Sequence, residues 1–125
     1  MKATSILVAD RVEPSRQFFC DLLGFHVVVE VPHGEATGFS LLHNGDAEIM
    51  LQSAASVADD LTPLGGETFR SIVYIDVPDV TAFEAQNPGL DVVVPLRKTF
   101  YGATELFVRE PGGNIVGLST PDSAR

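Results

Sequence analysis

The chain has 125 residues, 45% of them hydrophobic and 20% charged, which suits one packed domain and not a disordered tail. Its 8 basic and 17 acidic side chains give a formal net charge of −9, which argues against binding a phosphate backbone or an anionic membrane surface. A single cysteine, Cys20, excludes an internal disulfide and a four-cysteine zinc site, no apolar run approaches the roughly 20 residues that cross a bilayer, and no secretory leader is legible at Met1-Lys2-Ala3-Thr4, so a cytoplasmic protein is expected.

In chain order, residues 4–8 read as a strand with Ile6 and Val8 on one face. Pro14 sits where a first helical residue is tolerated. Phe18, Phe19, Leu22 and Leu23 then recur at helical spacing, and Gly24 stops the helix. Residues 25–31 form a strand rich in β-branched side chains, and Gly34 and Gly38 flank a short connection. Residues 39–42 and 47–51 read as strands joined by a tight turn at Asn44-Gly45. Residues 54–67 show little periodicity and read as a linker. A strand over 72–76 follows, and Asp79 caps a helix over 80–86 that Pro88-Gly89 ends. Strands over 92–97, 103–108 and 115–119 complete the chain.

The order strand–helix–strand–strand–strand thus occurs twice. Gly24-Phe25-His26-Val27-Val28-Val29 returns as Gly89-Leu90-Asp91-Val92-Val93-Val94, an offset of 65 residues. Val8-Ala9-Asp10 returns as Val77-Pro78-Asp79 at an offset of 69, so the second helix should be about one turn shorter. A duplicated half-domain follows.

These residues resemble a known family. Phe18-Phe19-Cys20-Asp21-Leu22-Leu23-Gly24-Phe25 is similar to the F-Y-x-D-x-L-G-F segment of the vicinal oxygen chelate superfamily, the glyoxalase/bleomycin resistance protein/dioxygenase group. Ala47-Glu48-Ile49-Met50-Leu51-Gln52 resembles the closing strand of the first module in its antibiotic-binding branch. Glu110-Pro111-Gly112-Gly113-Asn114 resembles the family's D-P-D-G-N, with Glu110 and Gly112 in place of two aspartates. The resemblance spans residues 3–119 and implies an α+β fold of two tandem βαβββ modules forming a curled mixed sheet around a cleft. As a single domain over 1–125, the chain divides into module one at 1–53, a linker at 54–67 and module two at 68–121. The resemblance also implies a homodimer whose cleft walls are completed across the subunit interface.

Metal-dependent members draw their ligands from the first and last strand of each module. Those positions fall here at Ala3, Glu48, Ile72 and Gly117, and only Glu48 is a ligand. The neighbours Thr4, Ser5, Ser71, Val73, Val116 and Leu118 are poor ligands too. His26, His33 and His43 match no metal spacing and read as solvated or locally hydrogen-bonded. A turn at Asn44-Gly45 pairs His43 with Asp46 and Leu41 with Glu48, leaving His43 away from Glu48. No resident metal and no other cofactor is expected.

Strand alternation assigns Ile49 and Leu51 to packing under the helices, beside Phe18, Leu22 and Phe83. Glu48 and Met50 then face the cleft, flanked by Phe39 and Leu41. Ile72 and Tyr74 share a face in the second copy, with Gly117 also assigned to the cleft. Phe100 and Tyr101 either stack on a planar ligand or seal the edge of the core. The face of Glu105 depends on a register that the sequence leaves open. Cys20 packs as a small hydrophobe in mid-helix, without an adjacent base to activate it.

The favoured reading is a metal-free binding protein resembling bleomycin-resistance proteins, sequestering a planar or cationic compound in an apolar cleft and so linked to antibiotic resistance. The absence of tryptophan counts against bleomycin itself. The alternative is a metal-dependent glyoxalase-like lyase or isomerase, or an extradiol-type dioxygenase, with relocated ligands. A third possibility is a regulatory subunit without a ligand.

Overall fold

Strands and helices follow one another in the same order twice in the computed structural model, which describes residues 1–69 and 71–122. The first run is β1 (Ser5–Ala9), α1 (Val12–Leu23), β2 (His26–His33), β3 (Ala36–Asn44) and β4 (Ala47–Ser53). After α2 (Ala54–Asp60) and a 3₁₀ turn at Thr62–Leu64, the second run is β5 (Ile72–Asp76), α3 (Val80–Gln86), β6 (Asp91–Lys98), β7 (Ala103–Arg109) and β8 (Ile115–Pro121). Each run builds a four-stranded mixed sheet, ordered β1-β4-β3-β2 and β5-β8-β7-β6. The opening strand pairs parallel to the closing one, and the other pairings are antiparallel. The chain forms two units, Met1–Ser71 with Pro111–Asn114, and Ile72–Glu110 with Ile115 onward. The fold is α+β, built from two tandem modules.

The first unit's core lies between α1 and one face of its sheet. Leu7, Leu42, Ile49 and Leu51 point from three strands toward Val12, Phe18 and Phe19, and all are buried. Phe19 packs edge-on against Phe18 and Phe25, at 5.3 and 5.6 Å between ring centres. The helix begins two residues before Pro14, whose missing N–H falls in the first turn and costs no internal hydrogen bond. It ends where Gly24 turns left-handed at φ 71°. In the second unit, Leu106, Val108, Val116 and Leu118 are fully buried beside Val80. There α3 is seven residues against twelve in α1, shorter as the offset arithmetic expects, and the Asp79 carboxylate caps it by accepting from the Ala82 N–H at 3.0 Å. Phe83 lies on α3 in the second unit and is half-buried.

Two sequence expectations need correction here. Residues 54–67 are not plain linker: the Ser53 hydroxyl caps α2 by accepting from the Ser56 N–H at 3.1 Å, and Val57 is buried. A seven-residue helix is too short to display a readable period. The β3–β4 turn is also displaced. Asn44 pairs with Ala47, so Gly45 and Asp46 form the turn. Gly45 takes φ 57° at the first central position, which a side chain would strain. Asn44 stays in the strand because its amide donates to the Leu23 carbonyl at the end of α1, at 2.8 Å.

Candidate functional site

The turn displacement decides what surrounds Glu48. Pairing slides by two residues along β4, which preserves the faces but changes every neighbour. His43 lies opposite Glu48, Leu41 opposite Met50 and Phe39 opposite Gln52. On the other side of β4, Ile6 is beside Met50 and Val8 beside Gln52. The face away from α1 therefore carries Phe39, Leu41, Met50 and Ile6, all at least partly open to solvent, with Glu48 at one end.

Both oxygens of Glu48 are taken. Oε2 accepts from the Lys2 ammonium at 2.7 Å and from the Thr4 hydroxyl at 2.6 Å. Oε1 meets His43 Nε2 at 2.6 Å, so His43 is not away from Glu48 as the assumed turn implied. Hydrogen bonds from Lys2, then Thr4, then His43 pull its carboxyl from 4.5 down to about 2. The folded value lies below the unfolded one, so the stabilisation is full above about pH 4.5 and disappears as pH falls toward 2. Lys2→Ala is expected to flatten the dependence of Tm on pH across that window, measured by circular dichroism at stepped pH.

This donor set does not fit a catalytic divalent ion. Thr4, not Ala3, is the first-strand neighbour of Glu48, and the protonated Lys2 amine has no lone pair to offer. Among the described residues no group of three His, Cys, Asp or Glu side chains could hold a metal. A cation fixed to the chain already neutralises the carboxylate.

The second unit carries a different arrangement on the matching face. Tyr74 of β5, Gly117 of β8 and Phe107 of β7 lie in one cross-strand row. Gly117 is buried beneath the two rings, and a Cβ there would stand 2.7 Å from Phe107 and 2.8 Å from Tyr74. Only glycine leaves room for both rings, so Gly117 lies under this face and offers no side chain to it. In the adjoining row Ser119 lies opposite Glu105, which lies opposite Arg97.

Glu105 is 1% exposed, yet it accepts four hydrogen bonds. Tyr74 and Tyr101 donate to Oε1 at 2.7 and 2.6 Å. Arg97 donates to Oε2 through Nε at 2.8 Å and Nη2 at 2.7 Å. Burial raises the Glu105 carboxyl, but the bonds from Tyr101, Tyr74 and Arg97 outweigh it and the net shift is downward. Its hydrogen bond to Glu105 pushes the Tyr101 phenol far above its usual range, so it stays protonated. Arg97 also lies over the Phe107 ring at 5.9 Å. Phe100 stands fully exposed, edge-on to Tyr101 at 5.1 Å, so it does not seal the core. Ile72 is exposed on the same face as Tyr74.

Lys2 and Thr4 around Glu48 were not anticipated as site residues, whereas Arg97 belongs to the 97–102 stretch that reads in sequence as a candidate rim and Glu105 was left without an assigned face. The strict alternation of buried Leu106 and Val108 was a usable signal that Glu105 faces the other way.

The matching family model is the Glyoxalase/Bleomycin resistance protein/Dioxygenase superfamily, over residues 3–118. No curated protein matches the sequence. Among solved structures, a lactoylglutathione lyase from Agrobacterium tumefaciens is similar at a TM-score of 0.76 and 16% identity, covering 96% of this chain and 92% of that one. A bleomycin-binding protein from Streptomyces verticillus, complexed with copper(II)-bleomycin, is similar at 0.62 and 21%, covering 94% and 93%. A Streptomyces antibiotic-binding protein is similar at 0.66 and 19%, covering 97% of each chain. At these identities the likeness establishes the fold alone. With the family model spanning nearly all of its length, the chain belongs to the glyoxalase/bleomycin resistance protein/dioxygenase superfamily.

Proposed function

We propose that this protein binds a small, planar, largely apolar compound without a resident metal. The observation that carries the reading is the Glu48 carboxylate, occupied on both oxygens by Lys2, Thr4 and His43. A Lewis acid that polarises substrate oxygens needs convergent open donors, and these are committed elsewhere. In the first unit the sheet face around Glu48 carries Phe39, Leu41, Met50 and Ile6, and in the second unit, taken by itself, Ile72, Tyr74, Phe100 and Tyr101 are exposed. Apolar walls with a few placed polar groups are the common composition of small-molecule sites. The antibiotic-binding relatives agree with sequestration as the role.

The ligand is planar because exposed aromatic rings and flat β-branched rows pack best against flat surfaces. The net charge of −9 favours neutral or cationic compounds over anions. The protein acts as a cytoplasmic homodimer, with the exposed Val27, Val29 and Val31 of edge strand β2 needing cover that a second copy supplies.

The test has two arms on one preparation. A panel of planar neutral, cationic and anionic compounds is expected to raise Tm for the neutral or cationic members. Titration with manganese, zinc, nickel and iron, followed by desalting and metal analysis, is expected to leave well under one equivalent bound. Near-stoichiometric retention of one metal would instead support the lyase or dioxygenase chemistry and end the sequestration reading.

A further inference from the structure

The Tyr74–Tyr101 pair has an unusual hydrogen-bonding state. Each phenol has one proton, and both protons point inward to Oε1 of Glu105, at 2.7 and 2.6 Å. Arg97 fills Oε2 with two N–H groups. An ionised carboxylate offers about four lone-pair sites, so Glu105 is saturated. The two phenol oxygens lie 3.0 Å apart, and with both protons committed to Glu105 neither donates to the other. What remains on the solvent side is lone pairs alone. Both tyrosines are about half exposed, at 43% and 54%, so the oxygens are reachable.

We propose that Tyr74 and Tyr101 form an acceptor-only clamp that selects planar compounds presenting an N–H donor, such as a ring N–H, an aryl amine or an amidine. This rests on the small-molecule reading above and adds the chemistry that discriminates among ligands. A ligand acceptor set against the pair meets lone pairs. To bind there it must pull a phenol proton away from a buried carboxylate, which leaves that carboxylate short of a partner. A ligand donor completes the phenols at no such cost. The Phe107 ring lies 6.1 Å from that of Tyr74 and the exposed Phe100 ring 5.1 Å from that of Tyr101, which puts apolar surface next to the pair. Arg97 and Glu105 cancel in charge, so the clamp discriminates by donor and acceptor character more than by net charge.

The chain has two tyrosines and no tryptophan, so every tyrosine signal reports on this site. The experiment titrates indole and N-methylindole, which differ by one N–H, into protein labelled with ¹³C-tyrosine and follows the ring resonances by NMR. Indole is expected to bind roughly five-fold more tightly, the worth of about one net neutral hydrogen bond, and to shift both tyrosines. Tyr101→Phe, a loop substitution that keeps the ring, is expected to bring the two affinities together, and Tyr74→Phe to do the same. Equal binding of both probes to the wild type overturns the clamp and leaves the binding function standing. Retention of the indole preference in both phenylalanine variants also overturns it. Failure of both probes to shift either tyrosine overturns the clamp as well, while the binding function is judged separately by the compound panel.

Discussion

Glu105→Ala is expected to lower the stability of the protein by about 2 kcal/mol, against roughly 1 kcal/mol for an average substitution. The alanine removes one side chain and leaves three groups short of a partner: both phenols and the Arg97 guanidinium. The guanidinium and the phenols regain water, since their side chains are about half exposed, which limits the loss. Urea denaturation followed by far-UV circular dichroism measures the difference, and a loss under about 0.5 kcal/mol would mean the four bonds add little to folding. The pH dependence runs in a known direction. The folded carboxyl of Glu105 lies below its unfolded value of 4.5, so its stabilisation is present above that value and is lost as pH falls. The alanine variant should therefore lose less stability on acidification than the wild type.

Phe19→Ala is expected to cost more, about 4 kcal/mol, with Tm lower by roughly 15 °C. Phe19 is fully buried, and its ring holds Phe18 and Phe25 edge-on across the end of α1. Truncation leaves a cavity that two aromatic neighbours with their own fixed contacts fill poorly. Phe19→Leu keeps most of the volume and should cost about 1–1.5 kcal/mol. A calorimetric scan of both variants separates the cavity from the aromatic contacts, and near-equal losses would assign the effect to ring geometry.

The repeated order of elements was legible because its signals are local. Gly24 after an apolar helical stripe, Asp79 ahead of α3 and alternating strands each announce themselves within a few residues. The second copy then supplied independent support for the first. The helix over Ala54–Asp60 was not legible, because Ala, Ser and Asp form it through one Ser53 cap and one buried Val57 rather than through a stripe.

The candidate site was legible only in part. Glu48 and Met50 were assigned to the open face, and alternation placed them there together with Phe39 and Leu41. Their neighbours were misread for a specific reason. Asn-Gly is a strong turn signal, but the Asn44 side chain is drawn into bonding the Leu23 carbonyl, 21 positions away in sequence. That contact exists only after α1 has packed on the sheet, and it moves His43 next to Glu48.

From the amino-acid order alone came the family, the duplicated plan and the shortened second helix. These depend on residue identity and on periods of two and 3.6, which neighbouring residues determine. Only the tertiary structure decided which polar groups meet. Lys2 closing on Glu48, and Tyr74, Arg97 and Tyr101 converging on Glu105, join residues from separate strands and a loop. Such contacts depend on strand register, and a turn displaced by one residue changes every partner while leaving every face as it was.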